Sequence, residues 1–353
     1  MNKITLVFVG RHKYGDNTDF YEFEKNIDKE VFNVEYICIG VRDGYKLKDN
    51  ITTINGYDKH RDGLSYGIKV RQYLKSKYKN KNAIIFVKHF YGCFILGSFL
   101  QHKTVIDIRT VSISKRMNRI KDMLITFDTL LYNYRTAISE GVGKKIFRGR
   151  KFEIIPLGAP SSLLNIKTAH RDNKHVNFIY IGTFDFRDID ILIHGYAKAK
   201  KNYSSKLSII GFGMNEFEKV VKTTAEKYDN VDYIGFVPYE SLEDYLSLAH
   251  IGISYIPITD RYDNQPPTKT YEYLMSGIPV LGTSTTENKR IITSKNGWLI
   301  QDNENEIRAF FESISIPDLP VPNICRESVM SYAWEEITSS KLEPIFKAVY
   351  KEM

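Results

Sequence analysis

The chain has 353 residues, of which 42% are apolar and 26% charged, with 24 Tyr and 20 Phe. This composition excludes a disulfide-stapled miniprotein and a chain disordered throughout, and the length predicts two globular domains. Charge is distributed unevenly: residues 1–160 carry 29 Lys and Arg against 16 Asp and Glu, whereas residues 161–353 carry 21 against 26. A basic first half predicts an anionic partner, either a phosphorylated substrate, an anionic lipid surface or a nucleic acid.

The cysteines and the apolar runs indicate the compartment. Cys38, Cys93 and Cys325 are too far apart for a zinc-spaced set and odd in number, which favours a reducing cytoplasm. The apolar runs are far shorter than the ~20 residues that span a bilayer, and the first residues lack the apolar region of a signal peptide. Any membrane contact is therefore expected to be peripheral.

In the first half, short β-branched runs alternate with amphipathic stretches. The pattern predicts strands at Ile4–Val9, Val34–Ile39, Ala83–Val87, Val105–Ile108, Ala137–Ile138 and Phe152–Ile155, and helices near Phe20–Lys29, Tyr66–Lys77 and Lys115–Leu131. This alternation is typical of βαβ units and a parallel sheet.

A second alternating series follows a predicted linker that runs from Pro156 to Asn173. Its strands are expected at Val176–Ile181, Leu207–Ile210, Val231–Ile234, Ile251–Tyr255 and Ile278–Leu281, with helices near Ile189–Lys200, Glu216–Tyr228, Ser241–Leu248 and Lys269–Met275. We therefore predict an α/β fold of two Rossmann-like, doubly wound parallel-sheet domains facing a central cleft. The domains are expected at 1–160 and 174–336, and a C-terminal helix at 337–353 is expected to cross back to the first.

The most informative stretch runs from Asn264 to Leu281. Two prolines end any preceding strand, Thr268 is positioned to cap a helix, and the helix is expected to begin at Lys269. The amides of such a helix start bind phosphate, and the ammonium of Lys269 adds a full positive charge. Glu272 follows nearly one turn later, where its carboxylate could accept hydrogen bonds from vicinal hydroxyls of a ribose.

This stretch resembles the signature of the family-four glycosyltransferases of GT-B fold. The resemblance continues across the second half, in segments that contain Gly182 and Arg187, Gly211 and Gly213, Gly235 to Pro238, and Tyr332 with Trp334. In the first half it is weaker and is limited to Ile138–Val142 and Ile154–Gly158.

The resemblance implies a nucleotide-sugar site in the second domain. Glu272 would hold the ribose, Lys269 and Arg187 would neutralise the departing diphosphate, and Phe236 and Val237 would face the base. The glycines of the site would be Gly182, Gly211 and Gly213, with Thr268 at the helix start. No cofactor is expected beside the donor, a UDP-, GDP- or similar nucleotide sugar. No metal is expected either, because Arg187, Lys269 and the amides of the helix start would take the place of a metal ion at the departing diphosphate.

Two departures from the family pattern point to a different sugar or subclass. Asn264 stands where the family usually has a second glutamate, eight residues before Glu272. Thr183 stands where the family often has a diphosphate-binding arginine, so Arg187 and Lys269 would carry the positive charge alone.

Four further positions have a structural alternative beside the functional one. Asp107 is a candidate base for an inverting reaction and Arg109 a candidate charge partner in a retaining one, but the two would equally form a buried ion pair. Gly15 follows the first strand and would let backbone approach the donor phosphate, or it belongs to an ordinary turn. His89 is expected either to face the cleft or to have a structural role. Tyr255 is expected either to line the sugar pocket or to pack in the core.

On the acceptor side, Lys115, Arg116, Arg119 and Lys121 flank an apolar stripe formed by Ile113, Met117, Ile120, Leu124, Phe127 and Leu131. A second basic cluster spans residues 144–151. A helix with an apolar face and a basic flank can lie in a membrane interface. The alternative is that the stripe packs on its own domain and the charges are solvated. Nucleic acid is not expected, because no recognition motif accompanies the charge.

We therefore expect a metal-independent glycosyltransferase of surface polysaccharide assembly. It would transfer a sugar to a glycan or polyprenyl-diphosphate-linked acceptor, in the cytoplasm or attached to the anionic inner face of the cell membrane. The alternatives are a nucleotide-sugar epimerase of the same fold and a non-catalytic protein that binds sugar nucleotides or nucleic acid.

Overall fold

The computed structural model describes residues 3–57, 62–79, 81–98, 102–112, 118–169 and 174–353. Its strands are β1 (Ile4–Val9), β2 (Lys13–Tyr14), β3 (Phe32–Cys38), β4 (Gly40–Val41), β5 (Ile51–Thr53), β6 (Ile84–Lys88), β7 (Lys103–Ile108), β8 (Tyr134–Ala137), β9 (Glu153–Ile154), β10 (His175–Thr183), β11 (Ser204–Phe212), β12 (Val231–Gly235), β13 (Ile251–Ser254), β14 (Val280–Thr283) and β15 (Gly297–Ile300).

The helices follow the strands in alternation through most of the chain. They are α1 (Thr18–Asn26), α2 (Gly63–Lys77), α3 (Asn118–Asp128), α4 (Glu140–Phe147), α5 (Ile189–Lys198), α6 (Asn215–Ala225), α7 (Leu242–Leu248), α8 (Thr268–Met275), α9 (Thr286–Ile291), α10 (Glu304–Ser313), α11 (Pro322–Glu327), α12 (Trp334–Ile337) and α13 (Glu343–Lys351). Among the described residues, no helix is long and apolar enough to cross a membrane.

Contacts divide the chain into two compact units. The first unit comprises Met1–Leu157 and Trp334–Met353, and the second comprises Gly158–Ala333. The segment read from sequence as a linker therefore starts the second unit: Ala159 forms a parallel bridge with Ala333, and residues Ser161–Asn165 form a 3₁₀ turn.

The sheet of the first unit has the order β5-β3-β1-β6-β7-β8-β9, and the recorded pairings between its strands are parallel. The C-terminal residues add to this unit, since Trp334 packs edge-on against Phe23. They do not form one regular helix: a π-helical turn, Thr338–Leu342, separates α12 from α13. Pro344 explains this, because its ring clashes with the carbonyl four residues earlier and it has no N–H to donate.

The sheet of the second unit has the order β12-β11-β10-β13-β14-β15, with parallel pairs. This is the doubly wound order of Rossmann-type sheets, in which ligands bind at the carboxyl ends of the strands where the strand order reverses. In this unit the reversal falls between β10 and β13. The predicted α/β fold of two doubly wound parallel-sheet domains is confirmed.

Candidate functional site

Helix α8 starts at the carboxyl end of β13, beside the point where the strand order reverses. It begins at Thr268, and its N-cap is Pro267, which provides no side-chain cap. The expectation that Thr268 caps the helix is therefore wrong: Thr268 is the first helical residue. The helix is held to the sheet because the hydroxyl of Tyr273 accepts a hydrogen bond from the amide of Ile181 in β10, at 2.8 Å.

A buried chain of hydrogen bonds fixes the first turn of α8. The hydroxyl of Thr270 donates to Oδ1 of Asn288 at 3.0 Å and lies 2.7 Å from the hydroxyl of Ser254 at the end of β13. Asn288 in turn donates to the carbonyl of Thr283 at 2.9 Å. All four residues are fully buried, so the direction of the helix start is set by polar groups that have no access to water.

Lys269 places its ammonium over the carboxyl end of β10. The Nζ atom lies 3.7 Å from the ring centroid of Tyr180 and 3.0 Å from the position that a Cβ on Gly182 would take. Gly182 therefore makes room for the lysine, a role that needs no ligand. Burial, together with the positive charge of Arg187, holds the pKa of the Lys269 ammonium well below its usual range, and Glu272 only partly opposes this.

Arg187 lies in the loop that joins β10 to α5. Its guanidinium carbon is 4.0 Å from the ring centroid of Tyr262, a stacked arrangement. The flanking residues Phe186 and Asp188 have φ values of 56° and 50°, left-handed conformations that cost non-glycine residues about 1–3 kcal/mol each. Within the described ranges, neither Arg187 nor Lys269 has a carboxylate at ion-pair distance. Arg187 and Lys269 thus lie near one another without an ion-pair partner in that part of the chain, although the carboxylate of Glu272 acts on Lys269 through its charge.

Arg261 is a third cation near this position, and the sequence analysis did not single it out. Its guanidinium carbon lies 5.8 Å from the ring centroids of both Tyr262 and Phe186. The loop that carries it is anchored by Asp263, which accepts hydrogen bonds from the amide and the hydroxyl of Thr286. Asn264 follows in the same loop and is partly exposed.

Glu272 lies one turn behind Lys269 on α8 and lines a cavity of about 230 Å³. Burial raises the pKa of its carboxyl group to about 7, against the opposing charge of Lys269. The rest of the lining comes from the 3₁₀ turn, from β10 and from the α7 region: Ser162, Leu163, Ile166, Ile181, Tyr239, Leu242, Glu243, Leu246 and Tyr273. A mostly apolar cavity lined by the half-buried carboxylate of Glu272 and the exposed one of Glu243 suits a ligand with a flat apolar part and hydroxyl groups.

The two other candidate glycines have packing roles. A Cβ on Gly211 would lie 1.8 Å from the carbonyl oxygen of Gly182 on the neighbouring strand. The amide of Gly213 donates to a carboxylate oxygen of Glu218 at 3.4 Å. A Cβ on Gly213 would lie 2.9 Å from a carboxylate oxygen of Asp185. Both glycines therefore leave space that neighbouring atoms occupy, and their contact with a ligand stays a prediction.

Phe236 and Val237 follow β12. Phe236 is 62% exposed and lies 5.8 Å, edge to face, from Phe212, which is 51% exposed at the end of β11. Val237 is half-buried. Two exposed aromatic rings in contact form a surface on which a planar base could stack. The sequence analysis named Phe236 but missed Phe212, although it lies between two glycines that were singled out.

Tyr255 packs in the interior of the second unit. It is 1% exposed and belongs to the hydrophobic core of the second unit, and burial raises the pKa of its hydroxyl. Of the two readings of Tyr255, the structure supports core packing.

In the first unit, Asp107 and Arg109 belong to a buried network of charges. The Nε atom of Arg109 donates to Asp19 at 2.5 Å and lies 3.8 Å from Asp107, and Lys88 lies 3.1 Å from Asp19. Two arginine nitrogens donate to the carbonyls of residues 155 and 156. Asp107 is fully buried, accepts from Thr136, and burial raises its pKa to about 6. The structure therefore supports the ion-pair reading of Asp107 and Arg109, and their catalytic roles stay a prediction.

Gly15 and His89 also have structural partners. Gly15 has a φ of 92°, and a Cβ there would lie 2.9 Å from the ring of Tyr45. His89 lies 3.0 Å from Asp128, which also accepts from the amide of Gly92. One ligand atom each from His89, Cys93 and Asp128 lies within 4.8 Å of the others. The sequence analysis expected no such cluster, because Asp128 is remote along the chain.

Helix α3 presents its large apolar residues to solvent. Asp122 and Asp128 are buried on its inner side, where Asp122 accepts from the amide of Ser112 and pairs with Lys145 at 3.0 Å. Six large side chains are 49–56% exposed, four on α3 (Ile120, Met123, Leu124 and Phe127) and two just after it (Leu130 and Leu131). The alternative, in which this stripe packs on its own domain, therefore does not hold for Ile120, Leu124, Phe127 and Leu131, which are about half exposed. Ile113, Lys115, Arg116 and Met117, which the prediction also used, lie outside the described residues.

Comparison with known proteins bears directly on the second unit. Residues 175–315, from β10 to just past α10, match the family described as Glycosyl transferases group 1. A comparison with curated protein sequences finds no significant match.

Solved structures extend the likeness to the whole chain. A sucrose-phosphate synthase from Thermosynechococcus elongatus superposes with a TM-score of 0.79 at 13% identity, covering 99% of this chain and 100% of that one. The lipopolysaccharide outer core galactosyltransferase WaaB gives 0.72 at 15%, covering 98% and 100%. Anabaena HepE in complex with UDP and glucose gives 0.72 at 12%, with the same coverage.

These matches establish the fold of the chain and a family pattern in its second unit. The chain has the GT-B fold, and its second unit carries the group 1 glycosyl transferase sequence pattern. The resemblance predicted from the motifs around Lys269 and Glu272 is thereby confirmed, and it supports glycosyl transfer as the chemistry.

Proposed function

We propose that this protein transfers a sugar from a nucleoside-diphosphate donor to a glycan or polyprenyl-diphosphate-linked acceptor in surface polysaccharide assembly. The observation that carries the proposal is that Lys269, at the start of α8, and Arg187, in the loop after β10, lie near one another without an ion-pair partner among the described residues. A carboxylate, Glu272, lies one turn behind Lys269. HepE, which shares the fold, has been solved with UDP and glucose, and a nucleotide sugar suits this arrangement.

The cations act on the leaving group. When the bond between the anomeric carbon and the diphosphate oxygen breaks, negative charge develops on the diphosphate. Lys269, Arg187 and the amides of the first turn of α8 would stabilise that charge, and fixed donors of this kind contribute about 3–4 kcal/mol each. Because anion binding favours the charged form of Lys269, the diphosphate would also restore the proton that burial disfavours. We infer that these groups supply the charge that a metal ion supplies in other transferases.

The remaining residues would hold the nucleoside. Glu272 would accept hydrogen bonds from the ribose hydroxyls, and the exposed rings of Phe212 and Phe236 would stack on the base. Asn264, on the anchored loop before α8, would contact the sugar. Thr183 carries no charge. Arg261, which lies close to the ring of Tyr262 on which Arg187 stacks, would add a further positive charge near the diphosphate.

We infer further that the acceptor side attaches to the anionic inner face of the cell membrane. The exposed apolar surface of α3, defined by the six large side chains on the helix and just after it, would enter the interface. Residues 118–151 carry eight Lys and Arg against three Asp and Glu, and attraction to anionic lipid is on the order of 1 kcal/mol per basic residue. A lipid-linked acceptor would be presented at that surface.

The decisive experiment incubates the purified chain with a panel of UDP- and GDP-sugars, with and without a lipid-linked acceptor, and measures release of nucleoside diphosphate. Release that requires acceptor and persists in EDTA supports the proposal. Conversion of one donor into another without release would instead favour an epimerase. Tight binding of nucleotide with neither reaction would favour a non-catalytic binding protein.

A further inference from the structure

The cavity beside Glu272 has one wall that does not belong to the sheet or its helices. Ser162, Leu163 and Ile166 form it, and they lie in residues 161–166, near the start of the second unit. The segment forms a short 3₁₀ turn. Something else must hold it in place, because a single turn of this kind has little stability of its own.

Two tethers hold this wall. Before it, the amide of Ala159 donates to the carbonyl of Tyr332 at 3.0 Å. After it, Nη2 of Arg326 on α11 donates to the carbonyl of Ile166 at 2.8 Å. The same nitrogen lies 3.2 Å from the carbonyl of Ser276, at the end of α8. Arg326 thus joins the wall to the helix that carries Glu272.

The Ser276–Gly277 turn is shaped to receive this arginine. Gly277 has a φ of 81°, and a Cβ there would lie 2.9 Å from the guanidinium carbon of Arg326. A glycine that ends a helix is ordinary, but here it also leaves space for the guanidinium. A cation beside the last carbonyls of α8 is favourable for the helix as well.

We propose that Arg326 is a positioning residue for donor binding, which holds segment 161–166 against α8 and so keeps in place the wall that contacts the nucleoside. This inference rests on the proposed function, since it takes the nucleoside to occupy the Glu272 cavity. The charged part of the donor binds elsewhere, at Lys269 and Arg187. Loss of Arg326 should therefore weaken ligands that contain a nucleoside and leave inorganic pyrophosphate binding unchanged.

The test compares full-length variants by calorimetry with UDP, GDP and pyrophosphate, and by kinetics with the donor that the wild type uses. Arg326→Met should raise the Kd of the nucleoside diphosphate and the KM of the donor about tenfold, which corresponds to the loss of about one hydrogen bond. The kcat should change less than about twofold. Arg326→Lys should fall between, because an ammonium does not reproduce the planar fork of guanidinium.

Two further variants separate the wall from general stability. Leu163→Trp would fill the cavity while Arg326 keeps its native side chain, and it should weaken nucleotide binding in the same way. Arg308→Met, at an exposed position on α10, is the matched control and should behave as wild type.

Equal weakening of pyrophosphate and nucleotide by Arg326→Met would overturn the proposal, as would unchanged nucleotide binding. If the wild type binds no nucleotide and releases none from any donor, the proposed function itself fails instead.

Discussion

Lys269 and Glu272 lie one turn apart on α8, and burial favours the uncharged form of both side chains. The pair is therefore not a salt bridge that stabilises the helix. It is an arrangement in which each group gains its charge when a ligand supplies the missing partner, and this has consequences that can be measured.

The first consequence is proton uptake. Because burial and Arg187 lower the pKa of Lys269, a bound diphosphate should raise it and draw a proton from the buffer. Calorimetry of UDP or GDP binding at about pH 8, in two buffers of different ionisation enthalpy, should show a net uptake of protons by the complex. Lys269→Met should abolish it and weaken binding by about 10- to 100-fold, the loss of a charge-assisted hydrogen bond. Lys289→Met, at an exposed position on α9, is the control, and uptake that persists in Lys269→Met would contradict the assignment.

The second consequence concerns stability and pH. The folded-state pKa of Glu272 is raised from 4.5 to about 7, so between these values the native state binds more protons than the unfolded state. Stability should fall as pH rises through that window. Glu272→Gln removes the penalty and should stabilise the second unit by about 1–3 kcal/mol near pH 8 and by little near pH 5. Urea unfolding at both pH values measures this, and an equal effect at both would refute it. Nucleotide binding should be lost in the same variant.

A third prediction concerns the buried charges of the first unit. Arg109→Met removes the guanidinium that Asp19 and Asp107 share, leaving Lys88 paired with Asp19, and should cost about 3–5 kcal/mol. Asp107→Asn keeps an acceptor for Thr136 and should retain glycosyl transfer within about twofold. Denaturant unfolding and steady-state kinetics give the two quantities. A loss of activity of about 100-fold or more in Asp107→Asn, with the fold intact, would support Asp107 as a catalytic base.

The fourth prediction tests the exposed apolar surface of α3. The double variant Leu124→Gln, Phe127→Gln should reduce recovery with anionic vesicles in flotation about tenfold or more, because each apolar side chain buried in the interface is worth about 1.5–3 kcal/mol. Leu248→Gln is the control, since Leu248 is 63% exposed in the second unit. Recovery that is equal with neutral and anionic vesicles, or unchanged in the double variant, would defeat the membrane proposal.

Much of the fold could be predicted because most strands are short β-branched runs bounded by turns. The strand at Ile4–Val9 was predicted with the bounds that the structure gives. The strands β5 (Ile51–Thr53) and β15 (Gly297–Ile300) were missed, because three or four residues at the edge of a sheet leave little periodicity. Helix α10 was missed as well.

The site could be predicted only where one segment carries it. Prolines, a lysine and a glutamate at helical spacing located α8, and this signal is local. Phe212, Arg261 and Arg326 were missed, because their importance arises from contacts with residues far away in sequence. The role of Asp107 was open for the same reason: its partners Asp19, Arg109 and Thr136 come from separate elements, and a strand sequence alone does not show which of them are near.

The crowding of Gly211 against Gly182 limits how donor preference can change. Any side chain at position 211 would collide with a carbonyl oxygen of the adjacent strand. We therefore expect glycine to be required there, both in natural relatives and in engineered variants. Libraries aimed at a new sugar or base should leave that position fixed and diversify the residues after β12 and the loop before α8, where side chains can be exchanged without moving the sheet.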